Sequence, residues 1–325
     1  MKVDVLIIGG SLAGAACARE LARMGVDVVA FDRERFPRGK VCGGFLSPNA
    51  VACLSRLDLL DKVKRAGATD VDHARIRVDG AFVEIPFPQK GLGVSRTTLD
   101  EILAAGAPVR EGIQVHGVRA VSSGFVVDSA AGPIQARIVI DAAGKLSRFT
   151  PAVVEREFGV QYCEPLERGS ALDFWFFDEG YGGAVTIEGK QSNFCFLIKR
   201  DALPRYVSKP GVLVTGPLAY DRTPGEVIAI GDAAGMIDPF CGEGMHHALD
   251  SGMLAATLVA RGLAGGRQFA EIRQSYELEW SRRWAAKRLL AATMRRAARF
   301  PRAVRLGLST TPGWFLKRLW ATIPS

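Results

Sequence analysis

The start of the chain combines apolar runs with small residues, and this pattern predicts a strand, a helix and a second strand. Val3–Ile8 is an apolar, β-branched run broken only by Asp4, as expected for a strand covered on both faces. A glycine-rich turn follows, and the alanine-rich stretch Ala13–Met24 predicts a helix. Val26–Phe31 is a second apolar run, which ends at Asp32. This order predicts a βαβ unit with parallel strands.

Apolar and polar positions alternate in the middle of the chain, which is typical of antiparallel strands. His73–Val78 and Phe82–Phe87 predict a hairpin across Asp79-Gly80. Further strands are predicted at Ala171–Phe177, Gly183–Ile187 and Asn193–Ile198.

The last part of the chain predicts a helix over Gln268–Arg299, which Pro301 ends. One stripe of this helix is apolar and arginines occupy the rest; the stripe consists of Trp280, Trp284, Ala291, Met294 and Ala298. Gly313–Trp320 then alternates aromatic and basic residues.

Length and composition are those of a globular protein. The 325 residues predict about two domains, and there is no run of about 18 apolar residues that would predict a transmembrane helix. Asp4 and the glycines after Ile8 argue against a signal peptide. The six cysteines include no CxxC pair, so we expect no metal site and no disulfide framework, and a reducing cytoplasm fits best.

Charge is distributed unevenly along the chain. The formal net charge is +8, but eleven Lys and Arg residues and no Asp or Glu lie between Trp280 and Ser325. The 279 residues before Trp280 carry 31 basic and 34 acidic residues. The body of the protein is therefore slightly acidic, which argues against nucleic acid as a partner because domains that bind nucleic acid present a basic face.

The turn after the first strand is Gly9-Gly10-Ser11-Leu12-Ala13-Gly14. A diphosphate approaches the backbone N–H groups of a helix start only where side chains are small. Ser11 stands where the GxGxxG pattern has its middle glycine, and serine is small enough for this approach. Asp32 follows Gly14 by 18 residues, close to the spacing of about 20 at which an acid binds a ribose hydroxyl. We therefore expect a dinucleotide to be bound by Gly9, Ser11, Gly14, Asp32 and the adjacent Arg33.

A second motif follows another apolar strand. It begins Gly231-Asp232-Ala-Ala-Gly235 and continues as Asp238-Pro-Phe-Cys-Gly-Glu-Gly-Met245. These residues resemble the GDAAG and DPxxGEG signatures of FAD-dependent oxidoreductases of the p-hydroxybenzoate hydroxylase and geranylgeranyl reductase superfamily. The resemblance implies FAD as the cofactor, with the aspartate on the ribityl chain and a helix N-terminus aimed at the negative N1/O2 edge of reduced flavin. It implies cofactor-binding roles for Gly231, Asp232, Pro239, Gly242, Gly244 and Met245.

Two further segments resemble this superfamily. Arg96-Thr-Thr-Leu-Asp100 is similar to its R-xx-L/F-D helix start, whose arginine lies near the flavin or its diphosphate. The alternative is a surface ion pair between Arg96 and Asp100, four residues apart on a helix. Gly144 belongs to a third fingerprint in which Ala143 stands where the family has an aspartate. This departure argues against a hydroxylase-style NADPH encounter, so NAD(P)H is expected only as a transient electron donor.

The segment Lys40-Val-Cys42-Gly43-Gly-Phe-Leu-Ser-Pro48 resembles the K-x-CGGxLSP strip of the geranylgeranyl reductase branch. In that branch the cysteine lies beside the isoalloxazine ring. The resemblance implies that Cys42 and Gly43 contact the flavin, and it makes Cys42 the candidate catalytic residue.

Aromatic residues of the predicted antiparallel strands are candidates for an apolar ligand surface. Trp175 and Tyr181 are the candidate substrate-wall residues, and the alternative is an ordinary sheet core.

We expect an FAD-dependent oxidoreductase and favour a reductase that moves a hydride between flavin N5 and a lipophilic, isoprenoid- or polyketide-like substrate. Two alternatives stay open: a single-component FAD-dependent monooxygenase, and a non-catalytic flavoprotein that relays electrons. The sequence does not identify the electron donor.

The expected fold is α/β, with a Rossmann-like FAD-binding domain of the glutathione-reductase type, an interleaved small β-rich substrate domain and a C-terminal helical tail. We assign residues 1–65, 92–150 and 222–266 to the first, 66–91 and 151–221 to the second, and 267–325 to the tail. The basic tail predicts either contact with an anionic membrane surface or a helix packed on the flavin domain with a solvated basic face. We expect a cytoplasmic protein, which in the first case is peripheral on the inner face of the membrane.

Overall fold

The computed structural model describes residues 1–78, 81–153, 157–208, 211–222 and 225–298. Its helices, labelled α1 to α7, are Leu12–Arg23, Pro48–Arg56, Leu60–Arg65, Arg96–Ala104, Leu203–Tyr206, Gly244–Ala264 and Phe269–Ala298. Its strands, labelled β1 to β17, are Lys2–Ile8, Val28–Asp32, Phe45–Leu46, Thr69–Val78, Ala81–Gly93, Val109–Glu111, Val115–Val121, Gly124–Ser129, Ile134–Asp141, Ala152–Val153, Glu157–Glu164, Ala171–Phe177, Gly180–Ile187, Gln191–Lys199, Leu213–Thr215, Asp221–Arg222 and Ile228–Ala229.

The first sheet has the strand order β6-β2-β1-β9-β8-β7. Its strands β6, β2, β1 and β9 are parallel, β17 adds in parallel to β9, and β8 and β7 continue the sheet antiparallel. The predicted strand, helix and strand are confirmed as β1, α1 and β2, each within two residues of the predicted bounds. The carboxyl ends of the parallel strands therefore meet at one edge, where ligands bind in folds of this kind.

The second sheet has the strand order β15-β11-β14-β13-β12-β4-β5-β3. Neighbouring strands are antiparallel except for the pair of β12 and β4. The predicted hairpin is confirmed by the antiparallel pairing of β4 with β5, and the three other predicted strands lie within β12, β13 and β14. The structure therefore has the expected α/β class with a β-rich second part.

The core explains why β1 is apolar at every position from Val5 to Ile8. Val5 and Ile7 pack with Leu21 of α1 and Leu254 of α6 on one face. Leu6 packs on the other face with residues of β2, β8 and β9. Burying both faces of a parallel strand requires a continuous apolar run, as the sequence pattern predicts.

The helix α7 packs against α6 through two tryptophans. Trp284 is 1% exposed, and its Nε1 donates to Asp250 Oδ2 at 3.1 Å. Trp280 Nε1 donates at 3.0 Å to Nε2 of His247, a residue whose pKa burial lowers to about 4. The predicted helix is therefore confirmed over the described residues. This part of the tail packs on α6, the helix that follows the motif around Asp232. Its basic face is only partly solvated, because the Arg288 and Arg295 guanidinium groups approach Tyr220.

Several predicted features lie outside the described residues. They are the turn Asp79-Gly80, Arg299, Pro301, the segment Gly313–Trp320 and the side chains of Met294 and Ala298. Within the described part of the chain, no helix has both the length and the apolar character needed to cross a membrane.

Candidate flavin site

One cavity lies between the two sheets and collects most of the residues that the sequence singles out. The predicted site residues that line this cavity are Ser11, Cys42, Gly43, Arg96, Gly144, Tyr181, Gly231, Asp232, Pro239, Gly242, Gly244 and Met245. The structure thus brings together the glycine turn, the Cys42 strip, the arginine helix and both later motifs, although they are far apart in the chain.

Gly9 and Gly14 lie behind the cavity wall and let backbone segments touch. A Cβ on Gly14 would lie 1.8 Å from the carbonyl oxygen of Gly9, and a Cβ on Gly9 would lie 2.4 Å from that of Ala142. Gly9 also has a φ of +104°, which side chains rarely allow. These glycines therefore set the close packing of β1, α1 and β9 that shapes the site.

Asp32 sits at the end of β2 as predicted, and its carboxylate orders the glycine turn. Gly10 N donates to Oδ2 at 2.8 Å, and Glu34 N donates to Oδ1 at 2.9 Å. Arg38 Nη2 lies 3.8 Å from the same carboxylate. Arg33 instead is exposed, pairs with Glu34 at 3.2 Å and does not line the cavity.

Arg96 and Asp100 form the ion pair that the sequence leaves open, but the pair is buried instead of lying on the surface. Arg96 Nη2 lies 2.8 Å from Asp100 Oδ1, and the two side chains are 8% and 0% exposed. Burial disfavours the charged guanidinium, but the Asp100 carboxylate and other nearby acidic groups, which include Asp232, together outweigh this effect, and the pKa of Arg96 is raised. A permanently charged group therefore faces the cavity.

Two helices begin at the cavity with N-termini that no side chain caps. Ser11 is the N-cap of α1, but its Oγ donates to Asp100 instead of accepting from the first helical turn. Glu243 is the N-cap of α6 and makes no capping hydrogen bond either. The first N–H groups of both helices are therefore available to an anionic or electron-rich ligand.

The turn before α6 is shaped by Asp238 and Gly242. Asp238 Oδ1 accepts from Phe240 N at 2.9 Å, and Gly242 has a φ of +65°. The chain then enters α6 at Gly244, where a Cβ would meet no atom within 4 Å. The open space beside this backbone suits the close approach of a flat ring.

The Cys42 strip is held by two polar side chains of the second sheet that the sequence analysis does not single out. Gln161 Oε1 accepts from Cys42 N at 2.9 Å, and Asn193 Nδ2 donates to Cys42 O at 2.9 Å. Gln161 Nε2 also donates to Asn193 Oδ1 at 2.7 Å, and both residues are buried. Each is a polar residue among apolar residues of its strand, β11 or β14. Because buried polar groups need hydrogen-bond partners, this pattern is the signal that could have identified them.

The second sheet supplies an apolar wall to the cavity. Side chains alternate along a strand, so Phe174 of β12 lines the cavity while Trp175 lies on the opposite face. There the Trp175 ring is stacked 6.1 Å from the Phe194 ring, and Arg168 lies over it at 5.2 Å. The wall includes Leu172, Phe174, Tyr181 and Leu197 of this sheet, and Leu218, which follows β15, lies in the same lining.

Two lysines for which the sequence predicted no role, Lys40 and Lys145, also line the cavity. Burial lowers the pKa of Lys145 to about 8, and Lys145 Nζ donates to Thr215 Oγ1. Burial also lowers the pKa of Lys40, with the charge of Arg96 acting in the same direction. Asp232 opposes both shifts, which indicates that these cations and the Asp232 carboxylate share one end of the cavity.

The residues present fit FAD. Uncapped helix starts and the cations Lys40 and Arg96 suit its diphosphate, and Asp232 offers an acceptor for ribityl hydroxyls. A Cβ on Gly43 would likewise meet no atom within 4 Å, so the Cys42 strip leaves room for a ring.

Comparisons with known proteins agree with this geometry. Residues 2–145 match the FAD binding domain family. The chain is 30% identical over 319 aligned positions to the menaquinone reductase of Mycolicibacterium smegmatis, covering 80% of this chain and 77% of that protein. It is 27% identical over 334 positions to digeranylgeranylglycerophospholipid reductase 2 of Methanothermobacter thermautotrophicus, covering 87% and 84%.

Solved structures show the same fold. PqsL of Pseudomonas aeruginosa, in its complex with 2-aminobenzoylacetate, superposes with a TM-score of 0.80 and covers 95% of this chain and 100% of its own. The sequence identity is 16%, so this likeness concerns the fold alone. The identity to menaquinone reductase establishes the family: the chain belongs to the FAD-dependent oxidoreductases of the p-hydroxybenzoate hydroxylase and geranylgeranyl reductase superfamily, and FAD is its cofactor.

Proposed function

We propose that the protein is an FAD-dependent reductase of a lipophilic substrate that carries an isoprenoid chain or a quinone ring. The observation that carries the proposal is the continuity of the cavity. The Cys42-Gly43 strip and the start of α6 form one side, and the apolar wall of the second sheet forms the other. An apolar molecule placed against that wall lies next to the flavin residues and excludes water from them.

Bound FAD supplies a hydride at its N5 atom. The protein's own residues orient and tune the ring. In this proposal the first turn of α1, Ser11 and Arg96 hold the diphosphate, and Asp232 holds the ribityl chain. The N-terminus of α6 stabilises negative charge on the pyrimidine edge, because the helix dipole is positive there. Cys42 and Gly43 contact the ring, and Gln161 and Asn193 hold their loop in place.

The relatives support the substrate class. Menaquinone reductase and digeranylgeranylglycerophospholipid reductase are named for lipophilic molecules. A cavity wall of aliphatic and aromatic side chains is the surface that such molecules need.

The test is anaerobic turnover. We expect FAD in the purified protein to be reduced by light or by NAD(P)H, and then reoxidised by a polyprenylated quinone or isoprenoid lipid that gains two hydrogen atoms by mass spectrometry. A product that forms only with oxygen and gains an oxygen atom would identify a monooxygenase instead. Reoxidation by an electron carrier, without any change in a lipid, would identify an electron relay.

A matched pair of phenylalanines tests the wall. Phe174 faces the cavity and is 7% exposed, whereas Phe194 contacts Trp175 on the opposite face and is 8% exposed. We expect Phe174→Ala to raise KM for the lipid about tenfold, since burying a phenylalanine contributes about 1.5–3 kcal/mol. Phe194→Ala should lower the free energy of unfolding by a similar amount and leave KM for the lipid unchanged. Equal KM values for both variants would place the substrate elsewhere.

We also propose that the basic tail contacts an anionic membrane that holds the substrate, so that the protein is peripheral on the inner face. Arg282 is 68% exposed, and residues 299–325 add five further cations with interleaved aromatic residues. The chain should co-sediment with vesicles containing anionic lipid and not with neutral vesicles. Replacing Arg302, Arg305, Lys317 and Arg318 by Gln should abolish sedimentation, and equal sedimentation of both proteins would contradict the proposal.

A further inference from the structure

Asp238 is a buried carboxylate that begins the turn of residues 238–243, which leads into α6 and is called the flavin turn below. Its neighbours Ile237 and Pro239 both line the cavity, whereas Asp238 is 2% exposed and faces the second sheet. Tyr181 OH donates to Asp238 Oδ1 at 2.6 Å, and the hydroxyl also accepts from Phe240 N at 3.2 Å. One carboxylate therefore joins the flavin turn to the tyrosine that forms part of the cavity wall.

The second oxygen of this carboxylate faces the C-terminal helix. Asp238 Oδ2 has no hydrogen bond within the described residues, and Arg295 Nε of α7 lies 3.8 Å away. Arg295 is itself held in place, because its guanidinium lies 3.8 Å above the Tyr220 ring and its side chain is 13% exposed. Burial raises the pKa of Asp238, and the two hydrogen bonds and the Arg295 charge oppose that shift.

We infer that Arg295 is a positioning residue of the flavin site, acting through Asp238 on both the flavin turn and Tyr181. Asp238 caps the short turn Pro239–Cys241 that leads into Gly242 and α6. A carboxylate without its cation in this buried place is costly, so the turn shifts or the group takes up a proton. Either response changes the backbone on which the flavin ring rests. The C-terminal helix α7 thereby helps to position the residues of the flavin site.

The helix α7 contains a matched control for this inference. Arg283 also pairs with a buried aspartate, with its Nη1 3.1 Å from Asp250 Oδ1. Neither Arg283 nor Asp250 is among the residues that line the cavity. Arg283→Gln removes an Arg–Asp pair between α6 and α7 and keeps the pair of Arg295 with Asp238.

The experiment compares FAD affinity in Arg295→Gln and Arg283→Gln, measured by fluorescence titration of protein from which FAD has been removed. We expect Arg295→Gln to weaken FAD binding about tenfold and to change the shape of the visible flavin spectrum, because a buried pair is broken next to the turn. Arg283→Gln should bind FAD as the unaltered protein does, even where its thermal stability falls equally. Equal FAD affinity and identical spectra for both variants would overturn the inference.

Two further variants separate positioning from loss of stability. Arg295→Lys keeps the charge and should recover most of the affinity. Asp238→Asn added to Arg295→Gln removes the unpaired charge and should bind FAD more tightly than Arg295→Gln alone; tighter binding in neither variant would contradict the role of charge. Since FAD affinity is measured without any substrate, this result is independent of whether the enzyme is a reductase or a monooxygenase.

Discussion

Arg96 Nη2 donates a 2.7 Å hydrogen bond to Ser11 Oγ across 85 positions of the chain. Ser11 occupies the place of the middle glycine in the nucleotide turn, and its Oγ also lies 3.1 Å from both oxygens of Asp100. The serine that departs from GxGxxG is therefore the contact between the turn and a buried ion pair. The replacement of glycine by serine adds a hydrogen bond between the start of α1 and α4 in the cavity lining.

The first prediction concerns this ion pair. Arg96→Gln should lower the free energy of unfolding by about 3–5 kcal/mol, because it leaves Asp100 charged, buried and without its cation. Chemical denaturation of the FAD-free protein measures this change. The double variant Arg96→Met, Asp100→Leu should recover most of the loss, and a single variant as stable as the unaltered protein would show that the pair is not essential.

The second prediction distinguishes an effect on FAD binding from an effect on folding at Gly43. Gly43→Val should leave stability within about 0.5 kcal/mol but weaken FAD binding at least about tenfold, because a Cβ at Gly43 meets no protein atom and this residue lines the cavity. Gly117→Val in β7 is the control, since the nearest atom to its Cβ is an Asp128 oxygen at 3.7 Å. Normal FAD binding by Gly43→Val would place the ring elsewhere.

The third prediction tests the ribityl assignment. Asp232→Ala should yield folded protein with little or no yellow colour, because the cavity loses the acceptor that we assign to the ribityl hydroxyls. Asp201→Ala, at an exposed position outside the cavity, should retain the full flavin absorbance per mole of protein. An Asp232→Ala protein with full flavin content would contradict the assignment.

The fourth prediction is a pH dependence of stability in the FAD-free protein. Burial lowers the pKa of Lys145 from 10.5 to about 8, so between these values the unfolded chain binds a proton at this residue that the folded chain lacks. The cost of folding with charged Lys145 is thus complete below about pH 8 and disappears as the pH rises to 10.5.

Lys145→Met should therefore be more stable than the unaltered protein by about 1–3 kcal/mol at pH 7, and this gain should shrink between pH 8 and 10.5. Denaturant titrations at several pH values measure the difference. Lys62→Met, on the exposed side of α3, is the control. The same pH dependence in both variants would show that burial of Lys145 is not the cause.

The amino-acid sequence by itself determined the first βαβ unit, several strands of the second sheet, the C-terminal helix and the cofactor. The apolar run of β1, the alanine-rich α1 and the glycines between them are local patterns, and short-range sterics and burial are enough to specify them. The motifs around Asp232 and Gly244 indicated FAD through their resemblance to the signatures of the superfamily, which can be recognised because each binding turn is a continuous stretch of chain.

Only the tertiary structure decided how distant residues combine. Trp175 and Phe174 are adjacent in sequence, and the pairing of β12 within the sheet determines which of them faces the cavity. The contacts of Ser11 with Arg96, of Cys42 with Gln161 and Asn193, and of Asp238 with Tyr181 and Arg295 join segments far apart in the chain. Local propensity carries no information on such distances, because they depend on how sheets and helices pack around a shared core.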